Sequence, residues 1–174
     1  MKKLLLVVDM QKDFIEGSLA TPEAAAILPK VIEKMEKWDG DLICTLDTHS
    51  DDYLETQEGR NLPVPHCLKG TPGWELQKEV ARLCEVRGGK KVEKPGFGIK
   101  NLPQLIMENY PEGLSEIHLV GLCTDICVIV NALLLKTYFS EIPIYVDSNC
   151  CAGVTPERHY NALSAMEACQ VGIL

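Results

Sequence analysis

The sequence predicts an α/β fold of three layers, a central and mostly parallel sheet with helices on both faces. Three observations predict it. Short apolar runs of strand length alternate along the chain with segments of helical spacing. The first run, Leu4–Val8 (LLLVV), is continuously apolar, as suits a strand covered on both faces. Each later strand is reached through a helical segment, the connection that right-handed parallel pairing requires. No repeat or linker interrupts the 174 residues, so one domain over 1–174 is expected.

Asp9 closes the first strand. Thr21-Pro22-Glu23 then opens a helix, with Ile27, Val31, Ile32 and Met35 on one face and Asp39-Gly40 at its end. Asp41–Asp47 (DLICTLD) reads as the second strand. A polar, Pro- and Gly-containing stretch runs from Thr48 to Gly73, and loops of that length are usually functional. Trp74–Cys84 is expected to be helical, Lys91–Glu93 extended and Leu102–Asn109 a short helix. Ile117–Val120 is the next strand, followed by a helix over Thr124–Tyr138. Ile142–Val146 is a further strand and Pro156–Cys169 the last helix.

Composition narrows the function. The chain is 46% hydrophobic and 24% charged, the balance of a globular protein, with a net charge of −8 that gives nucleic acid no basic footprint. No run reaches the roughly 20 apolar residues of a membrane helix. Two lysines precede LLLVV, but Asp9 ends that run too early for a secretory leader. Eight cysteines without a secretion signal point to reduced thiols and a cytoplasmic protein.

Reactive side chains fall at strand ends, where open parallel sheets bind ligands. They are Asp9, then Asp47 with His49, then the turn Gly121–Cys127. With Thr124 as N-cap, Cys127 lies in the first turn of a helix. There the dipole and free N–H groups favour thiolate and could hold an oxyanion. Gly121 permits a tight turn. Packing in the core is the competing reading of both cysteines, and a Cys123–Cys127 disulfide is disfavoured by uncertain geometry. Asp47, His49 and His66 suit Zn²⁺, Fe²⁺ or Mn²⁺, with Glu58 or Glu55 as a fourth ligand, although loop histidines are more often structural. Cys67 reads as packing. Gly70–Gly73 (GTPG) lacks the spacing of a phosphate cradle. Alone, Asp9 could be a base or a turn residue, and Lys94 a solvated charge. Asp147, His118 and the Cys150-Cys151 pair read as structural, the pair as a packed turn.

Taken together, VVDMQKDF (7–14), LDTH (46–49), PHCLKGTPG (65–73), VEKPGFG (92–98) and VGLCTDICV (120–128) resemble the isochorismatase-like cysteine hydrolases. The resemblance covers nearly the whole chain and implies that family's Rossmann-like fold. It implies an Asp9–Lys94–Cys127 triad, a cis peptide at Leu122–Cys123, an oxyanion hole from the N–H groups of Cys123 and Cys127, and a substrate pocket including Phe14 and Leu122. The DxH, PHC and GTPG pieces look most like the nicotinamidase and pyrazinamidase members. They imply a metal, zinc foremost, on Asp47, His49, His66 and Glu58, and conversion of nicotinamide to nicotinate and ammonia. The chain departs from these members where several have a third metal-binding histidine. It also lacks a tryptophan before PHC, where Leu62-Pro63-Val64 stand. The alternatives are an amidase of the same superfamily acting on a carbamoyl or ureido compound, and a non-enzymatic metal- or thiol-binding protein of flavodoxin-like shape. Cys127 speaks against isochorismatase itself. A small-molecule amide is the expected partner, in a homo-oligomer as is frequent in the family.

Overall fold

The computed structural model describes residues 1–174. Six parallel strands form one sheet in the order β3-β2-β1-β4-β5-β6: β1 Lys2–Val8, β2 Asp41–Asp47, β3 Lys90–Lys94, β4 Leu114–Leu122, β5 Ile144–Ala152 and β6 Gly172–Ile173. Seven helices connect them: α1 Lys12–Ile15, α2 Pro22–Lys37, α3 Gln57–Asn61, α4 Lys78–Val86, α5 Leu102–Asn109, α6 Ile129–Tyr138 and α7 Pro156–Ala168. None is long and apolar enough to cross a membrane.

The strand period divides the core in two. Leu4, Leu6 and Val8 of β1 enter one cluster, with Leu102 and Ile106 of α5, Leu135 of α6 and Met166 of α7. Leu5 and Val7 point the other way, onto Ile27, Val31 and Met35 of α2 and Val80 and Leu83 of α4. Both faces of β1 are therefore covered, which is why its sequence shows no polar alternation. The α2 start follows its sequence signal: Pro22 occupies the first turn and the Thr21 side chain accepts the Ala24 N–H at 3.0 Å.

Several boundaries differ from expectation for local reasons. The helix expected from Trp74 begins at Lys78. The Trp74 indole donates to Thr48 Oγ1, its carbonyl accepts from Gln11 Nε2, and Leu76 bridges Gln11, which holds 74–76 out of helical geometry. Gln77 then caps α4. The 48–73 stretch carries 3₁₀ turns at Tyr53–Glu55 and Pro72–Trp74 as well as α3. β5 runs on to Ala152, so Cys150 and Cys151 lie in a strand, not a turn, and point to opposite faces as free thiols. Asp147 also lies within β5 and pairs with Lys34 at 3.0 Å. The two-residue strand β6 was not anticipated; two residues carry no periodic signal.

His118, on β4, is held between Trp38 and Tyr145, with ring centroids 4.7 Å and 4.8 Å away. Neither ring nitrogen has a hydrogen-bond partner, the Glu116 carboxylate at 3.4 Å being out of line. Burial lowers its pKa, with Glu116 opposing. The folded state thus resists a proton that the unfolded chain accepts near pH 6.5. The stability from this group is full above that pH and falls as pH drops below it. Urea midpoints are expected to decline more steeply from about pH 7 to about pH 5 in wild type than in His118→Phe. Equal slopes would show that His118 does not set this dependence.

Candidate active site

The carboxyl ends of β1, β2, β3 and β4 converge, and parallel register decides what meets there. Asp47 is the register partner of Lys94 across β2 and β3. Asp9 follows β1 with φ 48°, its N–H on Thr45 Oγ1 at 3.0 Å, while the same hydroxyl donates to Asp9 Oδ1 at 2.5 Å. The Lys94 ammonium lies 2.8 Å from Asp9 Oδ2, 3.1 Å from Asp47 Oδ1, 3.1 Å from Gly96 O and 3.3 Å from Cys127 Sγ. Asp9 and Lys94 are fully buried. The sequence reading brings the same three groups together that the structure does.

Cys127 sits at the end of β4's exit. Gly121 has φ +115°, and a Cβ there would lie 2.1 Å from Val8 O, so β4 can approach β1 this closely only with glycine. The Leu122–Cys123 peptide is cis. Thr124–Val128 forms a five-residue π-helical segment ahead of α6, with the Ile126 and Val128 N–H groups on the Cys123 carbonyl at 3.0 and 3.1 Å. Thr124 is therefore the first residue of the helix and Cys123 its N-cap, one position earlier than expected. Leu122 packs into the core beneath β4 and does not line the cavity that Cys123 and Cys127 face.

Burial decides the charges. It pushes the Cys127 thiol well up, with the Asp9 carboxylate adding to this and Lys94 opposing, so the thiolate expected from the helix dipole is not the resting form. Burial also raises Asp9, against the pull of Lys94. Lys94 is held protonated: burial works against the charge, but Asp9, Cys127 and Asp47 outweigh it. Asp47 lies far below the usual carboxylate range, because bonds from His49 and His66 and the charge of Lys94 overcome its burial.

Beside these groups, Asp47, His49, Glu58 and His66 present ligand atoms that all lie within 4.8 Å of one another. His49 Nε2 is 2.9 Å from Asp47 Oδ2, and His66 Nε2 is 3.5 Å from it. Glu58 Oε1 lies 3.8 Å from His49 and 3.9 Å from His66. The chain builds this cluster by tying His49 N–H to Cys67 O and Lys69 N–H to His49 O, and by setting Glu58 on α3, whose cap Thr56 accepts the Gly59 N–H. His66 Nδ1 donates to Val64 O at 2.8 Å, which turns Nε2 toward the cluster. Two imidazoles with two carboxylates form a donor set that fits a divalent transition metal. Of the two candidate glutamates, Glu58 is in the cluster, whereas Glu55 is exposed.

A cavity of about 890 Å³ opens onto both groups. Phe14, Leu62, Phe97 and Ile126 give it an apolar lining, which His49 and Cys127 share. Leu62 stands in the segment where the tryptophan is missing.

The isochorismatase domain model matches residues 3–174. The chain belongs to the isochorismatase family. It is 27% identical to the nicotinamidase/pyrazinamidase of Mycobacterium tuberculosis, with 99% of this chain and 98% of that one covered. Among solved structures it is similar to nicotinamidase from Bacillus subtilis (TM-score 0.83, 27% identity, 99% of each chain). It is also similar to the pyrazinamidase of Pyrococcus horikoshii in complex with zinc (TM-score 0.81, 26% identity, 100% and 99%).

In this isochorismatase-family chain, four supporting residues went unassigned in the sequence reading. Thr45 fixes Asp9. Gln11, fully buried, donates to Asp47 O and accepts the Asp47 N–H, so it sets the height of that carboxylate. Asn131 Nδ2 donates to Cys127 O at 2.7 Å while its Oδ1 accepts the Ile99 N–H. Tyr53 packs edge-on against His66. Only Gln11 lies inside a quoted motif, and a buried glutamine beside a strand end was the available signal.

Proposed function

We propose that this amidohydrolase of the isochorismatase family cleaves nicotinamide to nicotinate and ammonia, with Cys127 as nucleophile. The observation that carries the reading is the 3.3 Å approach of Cys127 Sγ to an ammonium that is itself 2.8 Å from Asp9. Asp9 Oδ1 accepts the Thr45 hydroxyl, so Oδ2, ion-paired with Lys94, is the oxygen left to take a proton. In the first half-reaction Asp9 accepts the thiol proton as sulfur attacks the amide carbon. Lys94 offsets the negative charge that then resides on the pair. The N–H groups of Cys123 and Cys127 hold the oxyanion. Collapse breaks the C–N bond, and Asp9 returns its proton to the leaving ammonia, leaving a thioester. In the second, Asp9 takes a proton from water as its oxygen attacks the thioester carbon, and the sulfur departs and is reprotonated. Asp47, His49, His66 and Glu58 would hold a divalent metal, zinc foremost and iron or manganese also compatible with these donors, and the metal would supply Lewis-acid chemistry toward the substrate. Phe14 and the apolar walls suit a flat aromatic ring.

Ammonia release from nicotinamide, pyrazinamide and a set of carbamoyl and ureido compounds tests the reading. The expected order places nicotinamide and pyrazinamide highest in kcat/KM. A carbamoyl or ureido compound that surpasses both would move the assignment to that amide class.

A further inference from the structure

His159 lies on the first turn of α7, far from the triad in sequence, and the mechanism above leaves it unused. Its Nδ1 is 2.8 Å from the hydroxyl of Thr124, a fully buried residue that opens the π-helical segment between Cys123 and Cys127. The next residue is tied to the same turn of α7 independently. Asp125 Oδ1 accepts the Val154 N–H at 3.0 Å, and Arg158 Nη1 stands 4.0 Å from Asp125 Oδ2. The two segments meet so closely that a Cβ on Gly153 would lie 2.8 Å from His159 N and 3.0 Å from Asp125 Oδ1. Thr155 makes this turn of α7 rigid by accepting the Arg158 N–H on its hydroxyl and the His159 N–H on its carbonyl. Val154 and Arg158 also line the cavity, as do Cys123 and Cys127.

We infer that His159 is a positioning residue for the nucleophile: through Thr124 it fixes the π-helical segment and so the direction of Cys127 Sγ. π-helical turns are rare, occur mostly as single turns within α-helices and are frequent at functional sites. The Thr124–His159 bond ties the start of this segment to α7, while Asn131 of α6 holds the Cys127 carbonyl near its end. Within the amidohydrolase reading, the clasp keeps sulfur in line with the amide carbon, and positional errors near 1 Å are costly to such attack.

The test compares wild type, His159→Leu, His159→Asn, Thr124→Val and the Thr124→Val/His159→Leu double variant. Three quantities are read: kcat and KM for ammonia release, the rate of Cys127 alkylation by iodoacetamide followed by peptide mass, and the thermal midpoint. An asparagine amide can stand where Nδ1 stands. Loss of one neutral hydrogen bond, at about 1 kcal/mol, corresponds to roughly fivefold. His159→Leu is therefore expected to lower kcat and alkylation together by about fivefold to tenfold with KM little changed. His159→Asn should recover most of both, and the double variant should be no worse than either single one. Wild-type kcat and alkylation in His159→Leu would overturn the inference, as would single effects that add in the double variant. Should His159→Leu fail to fold, Thr124→Val and His159→Asn decide the question alone. The alkylation rate needs no substrate, so failure of the nicotinamide assignment shows in wild-type ammonia release and leaves the clasp separately decided.

Discussion

Cys127→Ala is expected to abolish amide turnover, with kcat reduced by at least about a thousandfold, while Cys123→Ala keeps most of it. Both thiols face one cavity and lie four residues apart, but their surroundings differ. Cys127 Sγ touches the Lys94 ammonium and shares its charge environment with Asp9. Cys123 has no such contact; burial and the nearby Asp125 push its pKa up to about 12. Cysteine is also the better choice for this probe than the other two triad positions. Removing Lys94 or Asp9 leaves a buried charge without its partner, which costs about 3–5 kcal/mol and confounds chemistry with folding. Alanine at 127 deletes only a neutral thiol. The measurement is steady-state ammonia release beside a thermal melt for each variant. Equal loss in both cysteine variants would indicate a paired redox role and remove Cys127 from the nucleophile's place.

Stripping divalent metal with a chelator is expected to lower activity at least about tenfold, and added Zn²⁺, Mn²⁺ or Fe²⁺ to restore it. The fold should register the same loss. Two carboxylates, Asp47 and Glu58, lie in one cluster with two imidazoles, a donor set whose mutual repulsion a divalent cation would relieve. A metal bound at a hundred times its dissociation constant stabilises by about 2.7 kcal/mol, so the melting temperature should fall on chelation and recover with the ion. His66→Ala should lose both responses. Full activity in metal-free protein would take Asp47, His49 and His66 out of the reaction.

How much of this was legible depends on whether a feature is local. The alternation of LLLVV, DLICTLD and IHLV with helical segments specified the layered sheet, because burial on both faces leaves a signature within a single strand. The meeting of Asp9, Lys94 and Cys127 was legible through motif resemblance, and the Asp47, His49 and His66 cluster through an Asp-x-His at one strand end and a further histidine in the loop that follows. What stayed hidden depends on the third dimension. The dipole argument for Cys127 considered its own helix and not the desolvation imposed by β1, β3 and the cavity wall, so it missed the direction of the thiol's shift. Leu122 was placed in the pocket through the resemblance, but strand alternation turns its side chain into the core. Thr45, Gln11 and Asn131 act through partners 36, 36 and 32 residues away, and no periodicity encodes such pairings.

Lys94 stands at the last position of β3, the outermost strand of its side, which is bonded to β2 alone. The Lys94 ammonium is thus anchored at the margin of the sheet, while its neighbour Asp47 lies on the interior strand β2 and Asp9 follows the interior strand β1. Fraying at that margin would withdraw the cation and leave the inner ladders intact, since peripheral segments open at lower free energy than the centre. If Lys94 has the role proposed for it, activity is expected to be lost at milder conditions than those that unfold the sheet.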